Sequence, residues 1–263
     1  VEMTISPWQG QVALITGCGS KDGIGFAVAQ RLGQQGVKLL IAATSERIHQ
    51  RVSELQADGY EAAGYIADLT HEAEVQGLYD WAVGQWGRVD ILVNNAGMTM
   101  VGDPEPFAMI ADMDLSIWHK SLDRNLTTAF LVTRAVLKTM QKQGYGRIVN
   151  VSSTTGTRGT NMGEATYAAA KAGMVGFTMS LALESARQGI TANSVAPGWI
   201  ETASSTDEER EAARYTPMGR AGTPAEVAAA IAFLASPEYS YISGELLVVD
   251  GANCLIENKA PNA

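Results

Sequence analysis

Short apolar runs alternate with helical stretches along almost the whole chain. Runs rich in Val, Ile and Leu predict buried strands, and they occur as QVALITG, VKLLIAA, EAAGYIAD, VDILVNNAG, GRIVNVSS, GITANSVAPG and GELLVVDG. Helical periodicity lies between them, for example in IGFAVAQRLGQQG, and a long helix is predicted around Leu122 to Gln143. Strands that alternate with helices in this way indicate a parallel sheet covered on both faces. The pattern therefore predicts a doubly wound α/β fold.

The alternation continues from one end of the chain to the other as a single unit. No proline- or serine-rich linker and no internal repeat divides it. We predict an N-terminal tail at residues 1–9, one domain at residues 10–253 and a C-terminal tail at residues 254–263. The chain has 263 residues, of which 46% are hydrophobic, and this is enough to bury a large core.

Composition narrows the class of protein. The formal net charge of −9 argues against a nucleic-acid-binding surface, which needs a broad excess of Lys and Arg. No apolar run approaches the length of a membrane span, and the N-terminal residues lack the pattern of a signal peptide. Cys18 and Cys254 do not have metal-ligand spacing. We therefore expect a cytoplasmic protein with reduced thiols, no metal site, no nucleic-acid partner and no membrane partner.

A glycine-rich loop follows the first predicted strand. It is TGCGSKDGIGFA, and it opens the first predicted helix. Glycines at positions 17, 19, 23 and 25 let the backbone turn tightly and approach a ligand, and the helix N-terminus favours a phosphate. The position of the loop in a βαβ unit therefore predicts a Rossmann-type nucleotide site, although its spacing is not GxGxxG.

The stretch ATYAAAKAGMVGF places Tyr167 four residues before Lys171. Alanine favours a helix, and positions i and i+4 share one helical face. A phenol loses its proton near a pKa of about 10, and a neighbouring cation lowers that value. This pair predicts a proton donor that works near neutral pH. The alternative for an isolated pair is a surface aromatic ring beside a solvated lysine.

Several motifs in order resemble the short-chain dehydrogenase/reductase family, over about residues 10–253. The resemblance rests on a TGxxxGxG-like loop, an intact NNAG, a helix asparagine, a serine, YxxxK and PG followed by a threonine. In this chain these are Thr16, Gly17, Gly23–Gly25, Asn94–Gly97, Asn125, Ser153, Tyr167, Lys171, Pro197, Gly198 and Thr202. The phrases ITANSVAPGWIET and PMGRAGTPAEVAAAIAFLASPEYSYISGELLVVDG are similar to the β-ketoacyl reductase-like branch.

The resemblance implies a catalytic tetrad. Tyr167 would give a proton to the substrate oxygen, and Ser153 would hold that oxygen beside it. Lys171 would lower the pKa of the tyrosine and bond the nicotinamide ribose, while Asn125 would anchor a water chain to Lys171. Ser152 is the alternative to Ser153, with a buried hydroxyl at a strand end as its structural role.

The resemblance also implies the cofactor contacts. Asp68 would bond the adenine amino group, or it would be an acid at a helix N-terminus. Asn95, Ala96 and Gly97 would line the cofactor or stabilise the sheet. The full expected set is Gly17, Gly19, Lys21, Gly23, Ile24, Gly25, Thr44, Ser45, Asp68, Leu69, Asn95, Ala96, Gly97, Tyr167, Lys171, Pro197, Gly198, Ile200 and Thr202.

The end of the second strand favours NADP over NAD. An acid there would bond the ribose 2′-hydroxyl of NAD, but the position holds Ala43. Thr44 and Ser45 offer hydroxyls to a 2′-phosphate, and Arg47 or Lys21 offers charge. Glu46 and Asp22 argue in the other direction, so NAD is the alternative.

Two segments that border the substrate cleft in this family are longer than expected. One lies between Gly97 and Asn125, and the other is TTGTRGTNMGEAT after Ser153. They predict a modified pocket lined by some of Met98, Thr155, Met162, Glu164, Trp199 and Tyr215. The alternative is a surface excursion or a subunit contact.

These features together predict an NADPH-dependent reductase that converts a ketone or 3-oxoacyl group to a secondary alcohol. The alternatives are an NAD-dependent alcohol or polyol dehydrogenase, and a nucleotide-binding sensor or scaffold with little turnover. Arg147 and Arg187 are candidates for contacts with an acyl carrier, and the family implies a homotetramer.

Overall fold

Seven strands form one sheet in the computed structural model, which describes residues 7–98 and 103–257. All the pairings are parallel. The strands are β1 (Val12–Ile15), β2 (Lys38–Ala43), β3 (Ala62–Ile66), β4 (Ile91–Asn94), β5 (Gly146–Val151), β6 (Ile190–Pro197) and β7 (Leu246–Val249).

The strand order is β3-β2-β1-β4-β5-β6-β7. The chain moves outward from β1 to β3 and then crosses back to β4, so the order reverses between β1 and β4. Ligands of open α/β sheets bind at such a reversal, outside the carboxyl ends of the strands. The predicted doubly wound parallel sheet is confirmed, and its order places the glycine-rich loop after β1 at this crevice.

Helices cover both faces of the sheet along the described part of the chain. They are α1 (Ile24–Gly33), α2 (Arg47–Ala57), α3 (Glu72–Trp86), α4 (Leu115–Leu122), α5 (Thr128–Gln143), α6 (Ala165–Ser185), α7 (Asp207–Arg214) and α8 (Pro224–Ala235). None of these helices is long and apolar enough to cross a membrane.

Alternate residues of each strand enter opposite core layers. In β1, Ala13 and Ile15 pack with residues of α1, α2 and α8, whereas Val12 and Leu14 pack with residues of α3, α5 and α6. This arrangement buries the strands on both faces, which is why the sequence shows continuous apolar runs rather than alternation.

The prediction of one long helix around Leu122 to Gln143 is wrong in one respect. The helical region begins earlier, at α4, where Asp114 Oδ1 accepts a hydrogen bond from Ser116 N at 2.8 Å. Between α4 and α5, residues Asp123–Thr127 form a π-helical turn. Such turns interrupt α-helices mostly at functional sites. This one carries the buried side chains of Arg124 and Asn125.

Parts of three predicted segments lie outside the described residues. These parts are residues 1–6 and 258–263 of the tails and residues 99–102 of the extension after Gly97. The domain boundaries stay predictions.

Candidate active site

A cleft of about 1170 Å³ opens at the carboxyl ends of the strands. The glycine-rich loop and the ends of β2 and β4 form one side, which we call the nucleotide side. The residues after β5, the start of α6 and the segment after β6 form the other, which we call the catalytic side. The cleft therefore combines the predicted nucleotide loop with the predicted tetrad.

Close backbone packing shapes the nucleotide side. Gly17 has a φ of +72°, and a Cβ there would lie 2.7 Å from Asn95 Nδ2. Thr16 Oγ1 accepts from the backbone N–H groups of Asn95 and Ala96, both at 3.0 Å. Asn95 Nδ2 in turn donates to the carbonyls of Thr16 and Gly17. Asn95 therefore joins β4 to the glycine-rich loop while it also lines the cleft.

Gly25 has a packing role at the start of α1. It does not line the cleft, because it is buried against the loop. A Cβ there would lie 2.6 Å from Asn95 Nδ2 and 2.7 Å from the Gly17 carbonyl oxygen. Gly25 lets α1 approach the loop, and its direct contact with the cofactor stays a prediction.

The N-terminus of α1 faces the cleft without a side-chain cap. Gly23 is the N-cap residue and has an extended conformation, and both Gly23 and Ile24 line the cleft. Free N–H groups at a helix N-terminus bind phosphate. The glycine cradle and this uncapped terminus fit a dinucleotide.

Lys21 does not line the cleft in this structure, and its contact with the cofactor stays a prediction. Its Nζ lies 4.0 Å from Glu54 Oε1 on α2, where Glu54 also pairs with the buried Arg51. Arg47 lines the cleft beside the end of β2, and its Nε donates to Ser45 Oγ at 3.4 Å. Thr44, Ser45 and Ala43 line the same region, as predicted, and Ser20 and Gly19 lie beside them.

Asp68 and Leu69 line the cleft after β3. Asp68 Oδ1 accepts from both the backbone N–H and the hydroxyl of Thr70, at 3.0 and 2.7 Å. Partial burial acts to raise the pKa of Asp68, but the hydrogen bonds from Thr70 outweigh it and hold the pKa below its ordinary value. The N-cap of α3 is His71 rather than Asp68. Asp68 therefore lines the cleft and also bonds residues at the start of α3, so both interpretations stay open.

Tyr167, Lys171 and Ser153 meet on the catalytic side, and all three line the cleft. The first turns of α6 carry Tyr167 and Lys171, and Lys171 Nζ lies 5.7 Å from the centroid of the tyrosine ring. It donates to the Val151 carbonyl at 2.8 Å. Ser152 Oγ donates to the carbonyl of Lys171 at 2.8 Å, a structural bond that supports Ser153 as the reactive serine.

The expected lowering of the Tyr167 pKa is wrong for the free protein. Burial raises the pKa of Tyr167, the Ser153 hydroxyl beside it lowers it, and the carboxylates of Glu105, Glu164 and Glu209 raise it again. Burial also lowers the pKa of Lys171 to about 8, although Glu105 acts to raise it. Tyr167 therefore keeps its proton at neutral pH, which is the form that a proton donor needs.

Asn125 is fully buried in the π-helical turn, and its contacts were not predicted. Its Oδ1 accepts from Met98 N at 2.6 Å, and its Nδ2 donates to Glu105 Oε2 and to the Ser121 carbonyl, both at 3.0 Å. Arg124, also unpredicted, is 4% exposed and donates to the carbonyl of Met98. Sequence patterns give no signal for the contacts with Met98 and Glu105, because they join residues 20 to 27 positions apart through irregular backbone.

The substrate end of the cleft agrees in part with the prediction. Met98, Thr155, Glu164, Trp199 and Tyr215 line it, whereas Met162 is 79% exposed and does not. Met162 points away because the loop turns at Gly163, whose carbonyl accepts from Ala108 N at 3.1 Å. The lining residues that the sequence did not predict include Arg158, Asn161, Arg214, Asn253, Cys254 and Ile256.

The segment after β6 reaches the cleft as predicted. Pro197, Gly198, Ile200 and Thr202 line it, as do Ala96 and Gly97 after β4. Gly198 is required by space, since a Cβ there would lie 2.7 Å from the Cβ of Asp250. Thr202 Oγ1 shares a hydrogen bond with Ser204 Oγ at 3.0 Å.

Neither Arg147 nor Arg187 lines the cleft. Arg147 is buried and donates to the carbonyls of Gly146 and Gly189, because the start of β5 lies at the opposite end of the sheet from the cleft. Both cysteines are free, Cys18 in the core and Cys254 at the cleft. Residues 7–98 and 103–257 contain no group of acids, histidines and cysteines arranged to hold a metal ion.

Comparison with known proteins gives matches over nearly the whole chain. A family model described as Enoyl-(Acyl carrier protein) reductase matches residues 17–252. The 3-oxoacyl-[acyl-carrier-protein] reductase of Vibrio cholerae is 43% identical over 252 residues, which cover 94% of this chain and 99% of that protein.

Solved structures agree. The structure of a variant of actinorhodin polyketide ketoreductase with NADPH has a TM-score of 0.85 and 36% identity, covering 94% of this chain and 98% of that one. A Burkholderia xenovorans protein described as a short-chain dehydrogenase/reductase has a TM-score of 0.88 and 34% identity, covering 97% of this chain and 100% of that one.

Proposed function

The chain belongs to the short-chain dehydrogenase/reductase family of oxidoreductases, and from this premise we propose that it is an NADPH-dependent reductase of 3-oxoacyl-type ketones. Its product would be the corresponding secondary alcohol. The expectation of this family from sequence motifs is confirmed by the family match and by relatives near 40% identity.

One observation carries the proposal: a protonated phenol and a second hydroxyl stand together in the cleft above a buried lysine. Tyr167 is 9% exposed, and burial keeps its pKa high. Ser153 Oγ accepts from Thr155 N at 3.1 Å, and its hydroxyl also lies at hydrogen-bonding distance from Tyr167, so the two hydroxyls form a pair at the cleft. Two hydroxyl donors on one side of a cleft are suited to a carbonyl oxygen on which negative charge develops.

The residues divide the work of reduction. The nicotinamide supplies the hydride when it is bound. Ser153 would donate a hydrogen bond to the ketone oxygen, and Tyr167 would transfer its phenolic proton to that oxygen as the alcohol forms. The charged Lys171 would stabilise the phenolate that is left. Asn125, held in the π-helical turn, would fix the backbone beside Lys171.

The nucleotide side supports NADPH. Ser20, Thr44, Ser45 and Arg47 line the region next to the end of β2, where Ala43 stands in the place of an acid. A 2′-phosphate is bound well by hydroxyl donors and a guanidinium. The preference for NADP that the sequence predicts agrees with the NADPH in the solved ketoreductase.

A second candidate, reduction of an enoyl thioester, comes from the description of the family model. That reaction adds hydride one carbon further from the oxygen on which charge develops. The names of the relatives, which are 3-oxoacyl reductases, favour the ketone. A sensor with little turnover would not need an aligned proton donor.

Acetoacetyl thioester and crotonyl thioester separate these functions. Each would be supplied with NADPH and, in parallel, with NADH, and nicotinamide oxidation would be followed by absorbance. We expect turnover of the acetoacetyl compound with NADPH. Tyr167→Phe should lower kcat by about 10²- to 10⁴-fold, because it removes the proton donor, while the Kd for NADPH stays unchanged.

Three outcomes would contradict the proposal. Turnover of crotonyl thioester alone would establish the enoyl reductase. A clear preference for NADH would favour the dehydrogenase. Full activity in Tyr167→Phe would exclude the proton-donor role.

We infer a homotetramer in the cytoplasm as the state in which the enzyme works. Its support is the exposed apolar surface on α5 and α6, where Phe130, Met179 and Leu183 are 42%, 58% and 83% exposed. Contiguous exposed apolar surface of this kind is found at protein–protein contacts. A small-molecule ketone is the partner that the cleft accommodates.

A further inference from the structure

We propose that Glu105, in the extension after Gly97, is a positioning residue that locks the amide of Asn125 and places a buried negative charge next to the contact of Asn125, Gly97 and Lys171. The inference deepens the proposed function, because it concerns the same site. It assigns a part to a segment whose length distinguishes this chain from the expected pattern.

The carboxylate of Glu105 reaches into the protein rather than into solvent. Its side chain is 13% exposed. Oε1 accepts from the hydroxyl of Ser121 on α4, and Oε2 accepts from Asn125 Nδ2 at 3.0 Å. Arg124 Nη1 lies 3.9 Å from the carboxylate. A carboxylate is rarely buried to this extent unless it is paired and hydrogen-bonded, and Glu105 is both.

The bond from Glu105 completes the hydrogen bonding of Asn125. An amide offers two N–H donors and one carbonyl acceptor. Nδ2 uses one donor on the Ser121 carbonyl and the other on Glu105, and Oδ1 accepts from Met98 N. Rotating the amide by half a turn would place N–H groups against Met98 N and an oxygen against Glu105. Glu105 therefore fixes the orientation of the Asn125 side chain.

Asn125 and Lys171 meet at Gly97. A Cβ on Gly97 would lie 2.9 Å from Asn125 Oδ1 and 3.5 Å from Lys171 Nζ. The next residue, Met98, has a φ of +60°, which is unusual for a side chain of this kind. Its N–H and carbonyl are held by Asn125 and Arg124. A change in the position of the Asn125 side chain would therefore shift the backbone at Gly97, which lies beside the ammonium group of Lys171.

Glu105 also differs from the other charges around the tetrad. The charged groups around the tetrad include Glu105, Arg124 on the π-helical turn, Glu164 at the start of α6 and Glu209 on α7, and Arg158 and Arg214 also line the cleft. Arg124 is paired with Asp103 at 2.6 Å. Glu164 and Glu209 act on Tyr167, whereas Glu105 acts on both Tyr167 and Lys171. Burial lowers the pKa of Lys171 to about 8, and Glu105 opposes that effect.

The test uses Glu105→Gln, which keeps an acceptor for Asn125 Nδ2 and removes the charge. The pKa of Lys171 in the free protein would be measured by competitive acetylation over a range of pH, with the Lys171 peptide quantified by mass spectrometry. We expect the pKa to fall by at least about half a unit, because the opposing charge is lost. With acetoacetyl thioester and NADPH, the decline of kcat at alkaline pH should move to lower pH by a similar amount.

Asp103→Asn is the matched control. Asp103 lies in the same segment and bonds Lys120 and Arg124, but not Asn125. Its loss should lower the midpoint of thermal unfolding and leave the Lys171 pKa unchanged. Glu105→Ala removes the bond to Asn125 as well as the charge, so we expect kcat to fall by about 10-fold to 100-fold at neutral pH. Partial return of kcat in Glu105→Gln at that pH would separate the bond from the charge.

Two results would overturn the proposal. One is a Lys171 pKa in Glu105→Gln that equals that of the wild type while the protein remains folded. The other is an equal shift in Asp103→Asn, which would attribute the effect to anchoring of the segment. If the wild type turns over no 3-oxoacyl thioester, the proposed function fails, but acetylation of the free protein still decides the part of Glu105.

Discussion

The two sides of the cleft are built from different kinds of chemical group. On the nucleotide side the close contacts are made by glycines, backbone carbonyls and the uncapped N-terminus of α1, and the cation Arg47 is exposed. On the catalytic side the contacts are made by Lys171, Arg124 and Asn125, each at most 4% exposed. On the nucleotide side, the lack of space limits which substitutions are tolerated. On the catalytic side, the limit is the free-energy cost of burying charged and polar groups.

Each side is therefore vulnerable to a different kind of substitution. An added methyl group should damage the nucleotide side, since its backbone has no room to move. The catalytic side should instead respond to the removal of charge, and it should gain stability when it loses function. Sites that need buried charges commonly sacrifice stability in this way.

The largest expected effect tests the nucleotide side by space alone. Gly25→Ala places a Cβ 2.6 Å from Asn95 Nδ2 and 2.7 Å from the Gly17 carbonyl oxygen. We expect the free energy of unfolding to fall by about 2–3 kcal/mol, because the backbone of the loop must shift. The Kd for NADPH, measured by fluorescence titration, should rise by at least about 30-fold.

Gly84→Ala is the control for that substitution. Gly84 lies exposed in α3, and a Cβ there would meet nothing within 4 Å. Its unfolding free energy should rise by about 0.5–1 kcal/mol, as expected for alanine in a helix, with no change in NADPH binding. Equal binding by both variants would show that the loop tolerates crowding and would remove the contrast between the two sides.

The next prediction tests the cost of charge on the catalytic side. Lys171 has a pKa of 10.5 as an ordinary lysine and about 8 in the folded protein, because burial disfavours its charged form. Between these two pH values the unfolded chain binds more protons than the folded one. The wild type should therefore gain stability as pH rises from about 8 to 10.5, and below pH 8 it should carry the whole cost.

Lys171→Met removes this cost together with the activity. At pH 7 we expect the variant to be more stable than the wild type by roughly 2 kcal/mol in urea unfolding, after allowing for the lost bond to the Val151 carbonyl. The difference should shrink as pH rises through the same window. A variant that is less stable than the wild type at pH 7 would mean that Lys171 stabilises the fold, and the proposed contrast would be wrong.

The same contrast explains which features the sequence predicts. Hydrophobic periodicity and fixed local spacings predict the strands, the loop after β1 and the pair Tyr167 and Lys171, because residues that are close along one element are also close in space. Glu105 reaches Asn125 across twenty positions of irregular chain, and Cys254 reaches the cleft from the C-terminal segment. Contacts of this kind leave no periodic pattern in the sequence.

Side-chain direction is also hidden from spacing. Lys21 and Arg47 are both plausible cations for a phosphate by position, yet only Arg47 lines the cleft. Lys21 Nζ lies instead 4.0 Å from Glu54, a carboxylate that also pairs with buried Arg51. The π-helical turn is missed for a related reason, since its cause is the burial of Arg124 and Asn125.

The smallest expected effect tests that choice between two cations. Arg47→Ala should raise the Kd for NADPH by about 10-fold and leave that for NADH nearly unchanged, because a charge-assisted hydrogen bond to the 2′-phosphate is lost. Lys21→Ala, the matched control, should change either Kd by less than about 2-fold, since its ammonium faces α2 at an exposed site. Both constants come from the same fluorescence titration at fixed ionic strength.

If Lys21→Ala weakens NADPH binding as much as Arg47→Ala does, the loop must turn its lysine toward the bound phosphate. The nucleotide side would then depend on a side chain that moves when NADPH binds. The contrast between a nucleotide side built from backbone and a catalytic side built from side chains would hold only for the glycines.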